Sequence, residues 1–328
     1  MKKTLNMIAA AAFAAGALTA GAALAQDAYP SRPITVVAPY DAGGATDRMI
    51  RHLAPYLSNE LGVPVNVENR PGAATMTGTV YFHAQPTDGY TVLFLPPTPY
   101  MMNHIEVMGA PYTLDDFDFV NAQEVAQSLL VVPKDNPLQS FDDIIEGLKQ
   151  PGGLSAGVIA GSSEHISLLL MMERLDIPAS NLRLVTFSGG GPTRTAIAGG
   201  QVDFGMTPGQ GSEAIFDSVR KIAIVSAEAN SDWPDATPIN ELLAPHGVEL
   251  PILDSSVRSM IVHAAFRNEH PDRYQTFVDA YERVLADPAY QQSAAEGNYG
   301  RDWRGPEESN ALVQRNYDLL VEYSRLLD

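Results

Sequence analysis

The stretch 34–47, ITVVAPYDAGGATD, restricts what this chain can fold into more than any other. Ile34 to Ala38 is a β-branched apolar run, Gly43 and Gly44 permit backbone conformations that a Cβ forbids, and Thr46 with Asp47 opens a helical pattern. Strand, glycine turn and helix start, in that order, make a seat for an anion. The first N–H groups of a helix lack internal partners and carry partial positive charge, so a carboxylate or phosphate can settle there without a basic side chain. An ordinary strand-to-helix turn capped by Thr46 carries the same signature. Other segments must separate the two readings.

Those segments repeat the pattern. From 45 to 61 the residues Met49, Ile50, Leu53, Leu57 and Leu61 fall on one helical face, with a kink or break expected at Pro55, which cannot bond to the Arg51 carbonyl. Residues 63–67 return to strand chemistry, 69–74 (NRPGAA) form a second small-residue turn into a helix near 75–84, and 90–95 is a third strand, ending in Pro96-Pro97-Thr98-Pro99. After extended segments at 117–125 and 128–132, Ser140 caps a helix over 141–148 with Asp143 in the capping-box position. Strands over 154–159, 182–187 and 202–206 then run into the loops 160–165, 188–192 and 207–209, with helices expected over 166–175 and from Thr193. A strand over 221–225, another over 258–265 and helices over 271–285 and 312–327 complete the chain.

This alternation predicts an α/β chain of two lobes, each a mainly parallel sheet flanked by helices, with ligand loops at the carboxyl ends of the strands. Crossings between lobes are expected near Val125 and Ile239, which assigns 26–125 plus 240–328 to the first lobe and 126–239 to the second.

Lys2 and Lys3 precede an Ala-rich apolar run, and Ala23-Leu24-Ala25 is a small-x-small cleavage signature, so residues 1–25 are expected to be a secretory signal cleaved after Ala25. A retained membrane anchor is the alternative, but the run is richer in Ala and Gly than in Leu and Ile. With no cysteine in the chain, neither a cysteine-linked lipid nor a disulfide framework is expected. Loss of the signal removes two lysines and no acid, moving the formal net charge from −18 to −20. Nucleic acid and anionic membrane surfaces are therefore unfavourable partners. An anionic small molecule is still compatible, because fields of exposed charges decay over about 8 Å in physiological salt while pocket amides act at contact.

Taken together, Tyr29-Pro30-Ser31-Arg32-Pro33-Ile34, Pro39-Tyr40-Asp41-Ala42-Gly43-Gly44-Ala45-Thr46-Asp47, Val67-Glu68-Asn69-Arg70-Pro71-Gly72-Ala73 and Pro86-Thr87-Asp88-Gly89-Tyr90-Thr91 resemble the substrate-binding proteins of tripartite tricarboxylate transporters, the Bug family. Gly161-Ser162-Ser163-Glu164-His165, Ser188-Gly189-Gly190, Gly199-Gly200-Gln201-Val202-Asp203 and Trp233-Pro234-Asp235-Ala236-Thr237-Pro238 follow in the family's order and spacing. The resemblance implies a periplasmic-binding-protein (Venus flytrap) fold. It also implies a monomeric receptor that captures a small organic di- or tricarboxylate and delivers it to a membrane permease with a large and a small subunit. A ligand-sensing receptor for a signalling kinase is the alternative.

The ligand loops that the resemblance implies fall on Tyr40, Ala42, Gly43, Gly44, Ala45, Thr46 and Asp47, on Ala74 and Thr75, and on Thr98. In the second lobe they fall on Ser162, Ser163, Glu164 and His165, on Ser188, Gly189 and Gly190, and on Thr207. The chain departs from the family at Phe187-Ser188-Gly189-Gly190, at Thr207 and at the second loop, which reads Gly-Ala-Ala. These departures bear on ligand identity. Asp47 reads better as a helix-start acid than as a contact, since a bare carboxylate repels an anion.

An exported hydrolase using Ser162 or Ser163 with His165 is the remaining alternative, but no Gly-x-Ser-x-Gly elbow surrounds either serine and no third orienting group is evident. The seven histidines lack His-x-x-x-His spacing, and the glycines at 189–191 and 199–200 do not form a dinucleotide fingerprint. Neither metal nor cofactor is expected.

Overall fold

The computed structural model describes residues 29–187, 189–230 and 232–327, so the expected signal at 1–25 and the site candidate Ser188 lie outside the described residues. Two sheets organise the rest. The first contains β1 (Ile34–Ala38), β2 (Val65–Asn69), β3 (Thr91–Leu95), β4 (Phe117–Ala126) and β11 (Ser256–His263), in the order β2-β1-β3-β11-β4. The second holds β5 (Ser128–Pro133), β6 (Leu154–Ile159), β7 (Leu182–Phe187), β8 (Phe204–Pro208), β9 (Val219–Val225) and β10 (Thr237–Pro238), in the order β10-β9-β5-β8-β6-β7. Strand β11 alone runs against its neighbours in the first sheet, and β5 alone in the second. Both sheets are therefore mainly parallel.

Register fixes how the two rims meet. In the first sheet β4 points the same way as β1, β2 and β3, so its end at Ala126 lies on the rim that carries their following loops. Only Gln127 separates it from β5, whose first residue, Ser128, is opposite Pro208 at the end of β8. The carboxyl ends of β6, β7 and β8 share that second rim. Both sets of strand-end loops thus border one short crossing and face each other across it.

The helices follow apolar faces. Helix α1 (Ala45–Leu61) buries Met49, Ile50, Leu53 and Leu57 and runs unbroken through Pro55, contrary to the expected interruption. Pro55 is on the exposed side, where water can bond the Arg51 carbonyl that loses its partner. Strand β2 sits two residues later than expected, because Pro64 has no N–H for the ladder while Asn69 still pairs with Ala38. After a 3-10 turn at Ala73–Thr75 come α2 (Met76–His83) and α3 (Pro97–Met102). The second sheet is covered by α4 (Phe141–Leu148), α5 (Ser163–Arg174), α6 (Gly190–Ala198) and α7 (Ile239–Leu243), and Ser140 and Asp143 form the expected capping box on α4.

Beyond Ile239, where the second crossing was expected, Leu243, Leu250 and Leu253 still pack with Leu130, Phe204 and Met206 of the second sheet. The chain regains the first sheet only at β11, and the leucines of 240–253 pack into the core beside the second sheet. Helices α8 (Ala264–Glu269), α9 (Pro271–Ala286) and α10 (Pro288–Glu296) flank the first sheet. The last helix, α11 (Gly305–Tyr323), touches both cores: Val313 lies with the first, Leu320 and Tyr323 with the second, and Arg325 beyond it pairs through both guanidinium amines with Glu173 of α5. Among the described residues no helix is long and apolar enough to cross a membrane.

Candidate functional site

The loop after β1 is held from below by an acid. Asp47, buried in the first turn of α1, accepts the Gly43 N–H at 2.8 Å, Asn69 Nδ2 at 2.7 Å and Arg51 Nε at 3.0 Å. Burial alone would push its pKa up, but the bonds from Gly43, Asn69 and Arg51 outweigh it and hold the carboxyl below the ordinary range. Asp47 therefore shapes the loop, and the Gly43 amide, expected to meet the ligand, is committed to it. The amides of the first helical turn remain. Gly44 is the N-cap and has no side chain to cover them, while Ala42, Gly43, Gly44 and Ala45 are exposed and Thr46 is buried. Gly43 has φ +86°, a conformation that explains the glycine.

The second loop stores strain. Ala73, Ala74 and Thr75 all have positive φ, at 46°, 49° and 78°, where side chains other than glycine are disfavoured. His104, fully buried beyond α3, braces them: Nε2 lies 2.8 Å from the Ala74 carbonyl oxygen and Nδ1 2.5 Å from the Tyr112 hydroxyl. Burial lowers the His104 pKa, against a smaller upward pull from the Ala74 carbonyl, so the neutral ring donates from Nε2 and accepts at Nδ1.

At the end of β3, Thr98 is fully buried and its Oγ1 has no partner among the described residues; the Tyr40 hydroxyl is in the same condition. The Tyr40 and Tyr100 rings meet edge to face with centroids 6.2 Å apart. Burial raises the pKa of both phenols and keeps them protonated.

In the second lobe α5 begins at Ser163, three residues earlier than expected, so Ser163, Glu164 and His165 occupy its first turn. Ser162 caps that turn by accepting the His165 N–H, and His165 Nδ1 accepts the Gly161 N–H at 3.2 Å. Burial lowers the His165 pKa. Serine and histidine are thus each tied to backbone, an arrangement unlike a nucleophile and its base. Ser163 Oγ is buried without a partner among the described residues.

Glu164, expected at the ligand, is bonded through one carboxylate oxygen to the two connections between lobes. That oxygen accepts the hydroxyls of Ser128, at the first crossing, and Ser255, at the second. It ties a helix start in one lobe to both connections. Thr207 lies within β8 rather than after it, fully buried with Oγ1 unpartnered among the described residues. Gly189 is the N-cap of α6, and a Cβ at Gly190 would approach within 2.7 Å of the Arg194 guanidinium.

Of six buried hydroxyls without partners among the described residues, the fold places four, those of Tyr40, Thr98, Ser163 and Thr207, at the facing rims together with the open first turn of α1; Ser167 and Ser256 carry the other two. Orphaned polar atoms are costly unless something binds them. Two concavities of about 520 and 310 Å³ border the crossing at Gln127, one lined by Gln127 and residues of 226–232 after β9, the other by Gln127, Asp254, Arg304 and Arg315 among others. Neither is lined by Tyr40, Thr98, Ser163 or Thr207. Among the described residues no three His, Asp or Glu side chains gather as a metal site. Sequence reasoning missed His104, Tyr112, Ser128 and Ser255, whose roles depend on contacts between residues distant in sequence or on burial.

Residues 49–315 match the family profile described as the tripartite tricarboxylate transporter family receptor. Protein BugT of Bordetella pertussis is 31% identical over 241 residues, covering 71% of this chain and 73% of that protein. A TctC solute-binding protein from Polaromonas, solved without ligand, superposes with a TM-score of 0.74 at 19% identity, over 90% of this chain and 99% of that one. An R. palustris protein solved with adipate gives 0.68 at 22% identity, over 91% and 98%. At these identities the superpositions speak for the two-lobed fold.

Proposed function

The chain belongs to the tripartite tricarboxylate transporter family of receptors, and on that premise we propose that it is a periplasmic solute-binding protein for a small organic di- or tricarboxylate. The ligand sits between the lobes and is passed to a permease with a large and a small subunit. The signal at 1–25 directs export, and the protein works as a monomer. The observation that carries this reading is the set of orphaned hydroxyls of Tyr40, Thr98, Ser163 and Thr207 on facing rims. The neighbour solved with adipate supports the ligand class.

Capture needs only donors. Four to six charge-assisted hydrogen bonds from these hydroxyls and the α1 amides, at about 2–3 kcal/mol each, supply roughly 8–18 kcal/mol against the roughly 8 kcal/mol net of micromolar binding. Lost translational freedom, desolvation and lobe closure consume the difference. Because contacts come from both lobes, the ligand favours the closed arrangement, and motion concentrates at Gln127 and the segment before β11. Calorimetric titration with succinate, malate, citrate, adipate and aromatic acids tests the reading. One-to-one micromolar binding of at least one acid is expected; absence of heat with every acid, or turnover of ester substrates that Ser162→Ala abolishes, would refute it.

A further inference from the structure

The carboxylate reading leaves open what the far end of the ligand carries, and a residue outside every ligand loop answers it. Arg258 lies on β11. Ser259 is opposite Leu95, the last residue of β3, so Arg258 stands at the rim where β3 runs out toward Thr98. Its neighbour strands in the sheet are β3 and β4, and β1, which leads to Tyr40, is next beyond β3.

The guanidinium pairs with Glu124, its cross-strand partner on β4. The Arg258 side chain keeps 20% exposure against 9% for Glu124, so the cation is the more accessible member. Its Nε is buried without a partner among the described residues, as is the Tyr40 hydroxyl. The Tyr40 and Tyr100 hydroxyls lie within electrostatic range of the guanidinium. Arg258 Nε–H, Tyr40 O–H and Thr98 O–H can all donate, and a guanidinium never accepts. Unpartnered donors beside a partly exposed cation call for an anionic acceptor, and a planar guanidinium suits a carboxylate.

We propose that Arg258, with the Tyr40 and Thr98 hydroxyls, seats a second anionic group of the ligand, so that the protein selects dicarboxylates over monocarboxylates of equal length. Glu124 restrains Arg258 and keeps the empty site from carrying an uncompensated charge.

The test compares succinate with butyrate, and adipate with hexanoate, by calorimetry on the exported protein and three variants, each checked by thermal melting. Arg258→Met with Glu124→Gln removes both charges at similar volume; it is expected to weaken the dicarboxylates roughly 10- to 100-fold and the monocarboxylates less than about threefold. Glu124→Gln alone frees Arg258 and is expected to retain or tighten dicarboxylate binding. Arg258→Lys keeps the charge without the fork and serves if the double variant does not fold, with about tenfold weakening expected for dicarboxylates only. Equal losses for both acid classes would overturn the inference, as would a Glu124→Gln protein as impaired as the arginine variants. A wild-type protein that binds no acid overturns the carboxylate reading beneath it, whereas wild-type dicarboxylate binding that ignores Arg258 overturns this inference alone.

Discussion

Replacing Asp47 with Asn keeps its size and removes the charge on which the first ligand loop is folded. The carboxylate is 2% exposed and faces three donors: the Gly43 N–H, Asn69 Nδ2 and Arg51 Nε. An Asn amide turns one acceptor oxygen into an NH2 group, so at least one donor meets a donor and the rest lose charge assistance. The Arg51 side chain is 48% exposed, and solvent screening reduces its share to a fraction of a kcal/mol. The Gly43 and Asn69 bonds, at about 1.5 kcal/mol each, set the expected loss near 3 kcal/mol. For a chain of this length that is a fall in Tm of about 6 °C.

The pH dependence has a definite sign. The folded-state pKa of Asp47 lies below its unfolded value, so its contribution is complete above the unfolded pKa of about 3.9 and disappears as pH falls through the folded value. Melting curves of wild type and Asp47→Asn at pH 7, 5 and 3 should therefore show the full gap at pH 7 and pH 5 and a smaller one at pH 3. Ligand affinity should fall about tenfold as the loop loosens. Equal melting at pH 7, or a gap that does not shrink on acidification, would refute the reasoning.

Gly43→Ala should cost about 1–2 kcal/mol from its left-handed backbone, while Gly44→Ala, whose Cβ would meet only the Asp41 carbonyl oxygen at 3.5 Å, should leave stability within about 0.5 kcal/mol of wild type; urea midpoints compare them. Glu164→Ala strands the hydroxyls of Ser128 and Ser255 and should lower the urea midpoint by the equivalent of about 2–4 kcal/mol, against about 1 kcal/mol for Ser255→Ala. Lost ligand affinity at unchanged stability in Glu164→Ala would return Glu164 to the ligand surface. His104→Phe removes the bond to the Ala74 carbonyl and should weaken binding about tenfold, whereas Ala74→Gly should melt no lower than wild type because relief of left-handed strain offsets the added freedom of the unfolded chain.

Local signals were legible in the sequence where one residue's chemistry decides the outcome. The β-branched run of β1, the apolar face of α1 and the Ser140–Asp143 box on α4 all stand where pattern and capping put them. Tyr40, Thr98, Ser163 and Thr207, implied by family resemblance, are four of the six positions whose buried hydroxyls lack a partner among the described residues; Ser167 and Ser256, which no motif marked, are the others. Misreadings arose where a distant partner decides. The bonds of Glu164 to Ser128 and Ser255, 36 and 91 residues away, leave no local signal, and 240–253 packs with the second sheet because its leucines find their core there. Pro55 signalled a kink or a break, and the helix continues through it because its exposed position lets solvent replace the missing bond. Arg258 sits in a strand, where no loop motif would mark it.

The most direct test of the central claim is a crystal structure of the protein with the ligand that co-purifies with it. The account predicts a carboxylate between the rims, with oxygens within hydrogen-bond distance of Tyr40 Oη, Thr98 Oγ1, Ser163 Oγ and Thr207 Oγ1, directly or through one water. Density for the ligand in the concavity beside Gln127 and Ser226, with those four hydroxyls bonded only to protein or to water, would contradict it.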